Sequence, residues 1–339
     1  MENFRVGTRG SRLAVRQSTT AAEALAELGG LSFDMITIRS EGDVLTGPLS
    51  QLGGSGVFAT ALRKALFDTE IDVAVHSLKD LPAKDVDGLS IAAVPERVDV
   101  RDALCSADDL TLDDLPEGAK VGTGSPRRAA QLLAARQDLN IVDIRGNVGT
   151  RLARVRGRED AAEKSSQAPD AARGDLDAVV LAGAGLARLE LQEHISELLD
   201  PELMLPAPGQ GALAVEVRSE ESPPGTSLAV SLAQLDHLES RLETTAERAL
   251  LARLNAGCSA PIGGLARCED EPDGSVKLRL DTMVCAPDGS DVQRAGQELT
   301  LEPGVSREAG IEAAAALGTR VAETLLAEDR GLLQHVIDS

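Results

Sequence analysis

Lys120-Val121-Gly122-Thr123-Gly124-Ser125-Pro126-Arg127-Arg128 is the stretch on which the reading of this chain turns. A short apolar run ends in a Gly-rich polar turn, arginines follow, and an Ala/Leu-rich pattern predicts a helix over 129–136. Ser125 is placed to cap that helix. Pro126 suits its first position, because the first turn leaves that N–H unbonded in any case. The same order recurs along the chain. Phe4-Arg5-Val6-Gly7 runs into Thr8-Arg9-Gly10-Ser11-Arg12 and a helix that takes in Gln17. Ile71-Asp72-Val73-Ala74-Val75 runs into His76-Ser77-Leu78-Lys79-Asp80-Leu81-Pro82. Ile141-Val142-Asp143-Ile144 leads to Arg145-Gly146-Asn147-Val148-Gly149-Thr150-Arg151, and Ala178-Val179-Val180-Leu181-Ala182 to Gly183-Ala184-Gly185-Leu186 and Arg188. Strands alternating with helices predict α/β domains. Ligands of such sheets lie beyond the carboxyl ends of the strands, where these turns fall, so the arginines are expected to converge on one cleft.

The last third reads differently. A helix is predicted over 245–254, strands over 276–284 and 292–301 joined by the turn Pro287-Asp288-Gly289, and a final helix over 306–326. This is a small α+β unit with an antiparallel meander. Residues 219–226, Ser-Glu-Glu-Ser-Pro-Pro-Gly-Thr, mark a linker before it. Residues 157–174 hold seven charges and no apolar residue larger than Ala, which predicts a solvated insertion without chemistry.

Composition narrows the function. At 339 residues the chain is long enough for two or three domains and a sizeable core. With no Trp, no Tyr and four Phe, that core must be built from Ala, Val, Leu and Ile. Net charge is −21, from 34 Lys+Arg against 55 Asp+Glu; such a surface repels nucleic acid and anionic membranes. Base-stacking platforms are missing as well. Arg5, Arg9, Arg12 and Arg16 interrupt the first apolar stretch, and no run approaches the length of a membrane span, so a cytoplasmic protein is expected. Cys105, Cys258, Cys268 and Cys285 form no CxxC pair and only four His are present, which gives a zinc site poor support.

Free N–H groups at the start of the helix after Ser125, with Arg127 and Arg128 alongside, predict an anion site, and Ser11 before Arg12 repeats the arrangement. Guanidinium forks grip carboxylates bidentately. Each arginine alone could equally be a surface partner for the abundant acids. Phosphate is another candidate ligand, although no GxxxxGK[ST] sequence is present for a nucleotide triphosphate. Asp80 could be a simple turn cap. Among cations, however, a fixed carboxylate suits stabilisation of a developing positive charge. Cys258 could be a packed thiol, but its turn Asn255-Ala256-Gly257-Cys258-Ser259-Ala260-Pro261 favours an accessible nucleophile. Cys105, Cys268 and Cys285 lie in or beside apolar runs and read as packing residues.

Taken together, residues 7–14, 76–82, 122–128, 145–152, 205–216 (LPAPGQGALAVE) and 257–263 resemble the porphobilinogen deaminase family, also called hydroxymethylbilane synthases. They occur in the family's order and span nearly the whole chain. The resemblance implies three domains: two periplasmic-binding-protein-like α/β lobes joined by hinge strands, and a small C-terminal α+β domain with an antiparallel sheet. The expected bounds are 1–97 with 208–230, 98–207, and 231–339. It implies a monomeric transferase of tetrapyrrole biosynthesis that joins four porphobilinogen molecules head to tail and releases four ammonia. The chain would grow on a dipyrromethane cofactor held through a thioether, by matched position on Cys258, with Asp80 as the central catalytic carboxylate. Arg9, Ser11, Gln17, Ser77, Lys79, Thr123, Ser125, Arg127, Arg128, Arg145, Arg151 and Arg188 are the implied cofactor and substrate contacts. Each pyrrole carries an acetate and a propionate, so the growing chain is strongly anionic.

This sequence departs from the family pattern at Ser55 and Thr60, where many relatives carry lysines; any such contribution is lost or passes to Arg63 or Lys64. The Gly-rich stretch 46–56 still reads as a lid. The rival class is a non-catalytic, two-lobed anion receptor, which gives Cys258 and the third domain no purpose.

Overall fold

The computed structural model describes residues 2–38, 57–162, 173–219, 225–257, 260–329 and 331–333. The lid expected at 46–56, most of the charged insertion and Cys258 itself lie outside these residues.

Two five-stranded sheets and one three-stranded sheet organise the chain. The first contains β1 (Asn3–Thr8), β2 (Ser32–Thr37), β3 (Val73–Ser77), β4 (Leu89–Ala93) and β10 (Leu213–Arg218), in the order β2-β1-β3-β10-β4. The second contains β5 (Asp102–Ser106), β6 (Lys120–Gly122), β7 (Asn140–Val142), β8 (Ala178–Ala182) and β9 (Glu197–Leu198), in the order β7-β6-β8-β5-β9. The two orders are the same plan. Each has parallel strands on one side (β2, β1, β3 and β7, β6, β8). Each then takes one antiparallel strand in fourth place, β10 or β5. That fourth strand is the one entering from the other lobe: residues 94–101 run from β4 to β5, and residues 199–212 return from β9 to β10. Two crossings therefore join two α/β lobes of the same strand plan, and the first lobe is discontinuous in sequence.

The helices start where the turn chemistry predicts. Ser11 caps α1 (Arg12–Gly29), its Oγ accepting from the Ala14 N–H at 3.2 Å, and Ala21, Ala22 and Leu25 bury the inner face against Phe4, Val6 and Val73. Pro126 opens α3 (Pro126–Ala135) after α2 (Val57–Phe67). Two short helices, α4 (Val148–Leu152) and α5 (Gly183–Arg188), follow β7 and β8. β7 stops at Val142, so Asp143 and Ile144, read as strand, already belong to the turn.

Past the proline-containing segment at 219–226 the chain does not enter the third unit at once. α6 (Ser227–Leu235) returns Leu228, Leu232 and Leu235 to the first lobe's core beside Leu25. The third unit then follows with α7 (Leu238–Leu254), β11 (Ile262–Asp270), β12 (Val276–Cys285), β13 (Val292–Leu301) and α8 (Arg307–Ala327). Leu242, Ala246 and Leu250 of α7 pack against Leu317, Val321 and Leu325 of α8 over Ile262, Leu278 and Leu280 of the sheet. Its order β11-β12-β13 is antiparallel throughout.

Three expectations change here. β11 was not foreseen, because Gly263 and Gly264 weaken its strand pattern; a Cβ at Gly263 would stand 2.8 Å from the Leu205 carbonyl, and one at Gly264 would press on Pro208 and Leu250 at 3.2 Å. α7 begins at Leu238, a full seven residues before the predicted 245, its charged first half being fixed by partners remote in sequence. The insertion's first part is anchored rather than merely solvated. Arg158 donates from Nε to the Ser106 carbonyl at 3.0 Å and from Nη2 to Asp109 at 2.6 Å, and Ala161 is buried.

Candidate active site between the lobes

β3 ends at Ser77, and the chain turns through a single 3-10 turn, Leu78–Asp80. Leu78 is buried and its N–H donates to the Ala212 carbonyl at 3.1 Å. With Leu78 pinned, Lys79 falls on the wall of the cleft and Asp80 is exposed. Behind them His76 Nε2 lies 3.0 Å from Glu216 Oε2, and Arg63 Nε donates to Glu216 Oε1 at 3.0 Å. Buried Gln17 donates from Nε2 to the Ser77 hydroxyl at 3.0 Å, tying α1 to the end of β3. Arg9 stands half-buried at the end of β1, just before the Ser11 cap. Arg63 thus pairs with Glu216, and exposed Lys64 pairs with Asp68 just past the end of its helix. Both already have an acidic partner, and Ser55 lies outside the described residues.

In the second lobe Thr123 is buried and accepts the Ser125 N–H on its Oγ1 at 3.2 Å. Ser125 holds the cap position of α3 but its hydroxyl makes no capping bond. Arg127 and Arg128 do not flank an open helix start, as the sequence had led us to expect. Both turn inward onto Asp102, which is fully buried. Arg128 donates from Nε and Nη2 to Asp102 Oδ1 at 3.0 and 2.7 Å; Arg127 Nη2 lies 2.8 Å from Oδ2 and its Nη1 donates to the Leu205 carbonyl at 2.7 Å. Burial by itself would raise the Asp102 pKa, but the two guanidinium charges override it and hold the carboxyl well below the usual range.

Six of the predicted residues line one cavity: Gln17, Ser77, Lys79, Arg128, Arg151 and Arg188. Leu13, Val148, Ala182 and the return segment Gly209–Ala212 complete its wall, so both lobes and a crossing contribute. Its volume is about 120 Å³. A cavity of about 150 Å³ binds benzene, so the enclosed part accepts roughly one aromatic ring and a longer ligand must run out along the cleft.

The electrostatics of that wall set it apart. Protein surrounds the Lys79 amine, and burial first, then the Arg128 charge, lower its pKa to about 8, against the raising effect of Asp80 and Asp102. Burial and the Arg128 charge lower Arg151 to about 10, and burial alone lowers Arg188 to about 10. The hydrogen bonds of the two arginines go to backbone carbonyls: Arg151 Nε to Gly146 at 2.8 Å and Arg188 Nη2 to Gly211 at 2.7 Å. Neither guanidinium hydrogen-bonds a carboxylate among the described residues, in a protein of net charge −21. Asp80 acts on both Lys79 and Arg151, and exposed Arg145 on Arg151, which puts both side chains next to the same wall.

Gln210 escaped the sequence reading. It is fully buried; its Nε2 donates to Asp102 Oδ1 and to the Val100 carbonyl, each at 2.8 Å, and its Oε1 accepts from Lys79 Nζ at 3.2 Å. One amide thus connects the first lobe's lysine to the second lobe's buried carboxylate. Gly209 and Gly211 flank it at φ 77° and 88°, and at Gly211 a Cβ would stand 2.6 Å from the Val98 carbonyl. Only glycine lets the two crossings approach so closely. The Pro-Gly-Gln-Gly run marked this turn in the sequence; nothing in it signalled a buried amide.

Among the cysteines, Cys105 and Cys285 are fully buried and Cys268 partly so. Burial pushes the thiols up to about 12, 11 and 12 respectively, so all three are protonated at neutral pH. Among the described residues no group of three or more His, Cys, Asp and Glu could hold a metal ion, and no helix is long and apolar enough to cross a membrane.

Comparison with known proteins agrees with this geometry. Residues 4–223 match the family model "porphobilinogen deaminase, dipyromethane cofactor binding domain", and residues 241–327 match "porphobilinogen deaminase, C-terminal domain". A porphobilinogen deaminase of Micrococcus luteus is 51% identical over 99% of this chain and 96% of its own length. One from Cutibacterium acnes is also 51% identical, over 96% of this chain and 95% of its own. Among solved structures, a periplasmic substrate-binding protein of an ABC transporter from Coxiella burnetii is 16% identical, with a TM-score of 0.40, over 68% of this chain and 91% of its own; the lobe architecture rests on the strand order above. Two family models that together span both crossings and the third unit, and relatives matched almost end to end, make the conclusion direct: this chain belongs to the porphobilinogen deaminase family.

Proposed function

We propose that the chain is a hydroxymethylbilane synthase, which deaminates four porphobilinogen molecules and joins them head to tail, releasing four ammonia. One observation carries the reading: Lys79 of the first lobe and Arg151 and Arg188 of the second line one ring-sized cavity, and burial lowers the pKa of each. A ligand bearing an acetate and a propionate on every ring supplies matching negative charge. The donor set therefore fits a dipyrromethane and the anionic chain that extends it.

Lys79, Arg151 and Arg188 would take the carboxylates, with Arg128, Gln17 and Ser77 forming the polar wall between them. Guanidinium forks orient a carboxylate as well as neutralise it, which fixes the ring to which it is attached. Arg9, Ser11, Thr123, Ser125 and Arg145 stand at the strand ends and turns around the cleft and would meet the parts of the ligand beyond the enclosed ring. Arg127, committed to Asp102 and Leu205, would act by holding the second lobe's wall in place. Asp80, exposed beside Lys79 and Arg151, would stabilise the positive charge that develops as ammonia leaves the substrate's aminomethyl group. Attached through a thioether to Cys258, the dipyrromethane would supply the nucleophilic pyrrole carbon on which the product starts.

We assign three domains: 1–97 with 208–235, 98–207, and 236–339. The first is extended past 230 because α6 packs into its core. We also assign the enzyme to the cytoplasm as a monomer without nucleic-acid partners, readings that its acidic surface and unpaired thiols support.

Intact-mass measurement tests the reading. The wild-type protein should carry the added mass of two linked pyrroles, and Cys258→Ser should lack it. Asp80→Ala should keep the mass while turnover falls roughly 10²- to 10³-fold, the usual effect of removing one preorganised electrostatic partner. Bare polypeptide mass in a freshly prepared, active wild type would remove the covalent primer.

A further inference from the structure

α7 sends two neighbouring side chains in different directions. Glu247 is fully buried and receives Arg97 through Nη1 at 2.8 Å and Nη2 at 3.0 Å, together with the backbone N–H groups of Gly209 and Ala266 at 2.6 and 2.8 Å. Arg248, the next residue, reaches the first lobe instead. Its Nη1 donates to the Leu81 carbonyl at 3.2 Å, and its Nη2 donates to the Pro82 and Ala83 carbonyls at 2.9 and 3.3 Å. These carbonyls follow Asp80 directly in the chain.

Leu81 is buried beside Leu78 and Val94, but the rest of that stretch has little regular structure. Residues 81–88 form neither helix nor strand, and Pro82 has no N–H to offer. The Leu81 N–H closes the turn to Leu78 at 3.1 Å, which leaves the carbonyls for Arg248. Three acceptors on one planar fork define a position; a lysine ammonium would not reproduce it. The charges facing the guanidinium are Asp85, Glu216, Arg63 and Arg241, none of which is within ion-pair distance among the described residues. Burial lowers the Arg248 pKa first, with Asp85 opposing it, so a half-buried cation is bonded to backbone carbonyls. Partners of that kind serve placement rather than charge neutralisation.

We propose that Arg248 is a positioning residue for Asp80: through it the third unit sets where the carboxylate stands relative to Lys79 and Arg151. The proposal rests on the reading of Asp80 given above. It makes α7 a bracket, with Glu247 fixed to the crossing segment and Arg248 fixed to the Asp80 loop one residue later.

The test uses full-length enzyme whose cofactor loading has been verified by mass. A displacement of about 1 Å at a reacting group can lower the rate by about 10²-fold, so Arg248→Met should lower kcat by roughly 10- to 100-fold with KM nearly unchanged. Arg248→Lys, which keeps the charge without the fork, should fall between this variant and wild type. Added guanidinium ion at sub-denaturing concentration should restore part of the activity of Arg248→Ala, which a merely structural loss would not show. Loaded Arg248→Met or Arg248→Lys with wild-type kcat would overturn the proposal, as would a loss that follows thermal stability and is indifferent to guanidinium. Asp80→Ala is measured alongside. If it is fully active, the Asp80 reading and its positioning residue fall together; if it is inactive while Arg248→Met turns over normally, only the positioning role falls.

Discussion

Arginine is withdrawn from water in two places in this molecule, fully at one and half at the other, to opposite effect. At the junction of α7 with the crossings, burial opposes the charge of Arg97, but Glu247 and Glu243 more than offset it and its pKa is raised. On the cleft wall, Arg151 and Arg188 donate to carbonyls, and both are lowered to about 10. Desolvation is present in both regions; only the first carries enough carboxylate to answer it. A satisfied knot holds parts together, whereas an unsatisfied wall waits for an anion. Arginine's identity is the same in each, so its role is legible only from its partners.

Removing the answering charge at the junction should produce the largest change. Glu247→Ala leaves Arg97 buried beside Glu243 alone and strips the Gly209 and Ala266 N–H groups of their acceptor. A loss of about 3–5 kcal/mol is expected, read by denaturant unfolding. A loss below 1 kcal/mol would erase the contrast between the two regions.

The cleft should respond with the opposite sign. Arg188→Met removes a cation lowered by burial alone, so the protein without its pyrrole cofactor should gain about 1 kcal/mol, the usual trade between stability and function. Chain elongation by the loaded enzyme should slow at the same time. Reduced stability together with normal elongation would show Arg188 to be a structural residue like Arg97.

A smaller effect lies in the pH dependence of Lys79. Its pKa in the folded protein, about 8, is below the ordinary 10.5. Charged Lys79 therefore weakens the fold below about pH 8, and that penalty is relieved as pH rises toward 10.5, where the unfolded chain also loses its proton. Anion binding runs the other way: affinity for a carboxylate-bearing substrate should fall as pH passes through about 8. Lys79→Arg should remove this alkaline fall in kcat/KM. An unchanged profile in that variant would exclude Lys79 as the group responsible.

Much of this was open to reading along the chain. Apolar runs ending in polar turns marked β1, β3, β6 and β8, since strand and helix periodicities are local properties. The turns at Ser11 and Ser125 placed the starts of α1 and α3 for the same reason. β11 was missed because its glycines answer to Leu205 and Pro208, more than fifty residues away in sequence. The inward turn of Arg127 and Arg128 was missed because Asp102 sits on a strand that enters from the other lobe. Gln210 and Arg248 are ordinary polar residues until the crossings and α7 bring Lys79 and the Asp80 loop to them.

By itself the sequence determined which segments alternate as strand and helix, where arginine-bearing turns fall, and that an acidic chain keeps cations at strand ends. These follow from periodicity, cap chemistry and charge, all of which act within a few residues. Only the tertiary structure decided which cations are neutralised and which are left facing the cleft. That depends on which carboxylates share a buried space, and burial, which makes each missing partner count, belongs to the packed molecule rather than to any stretch of chain.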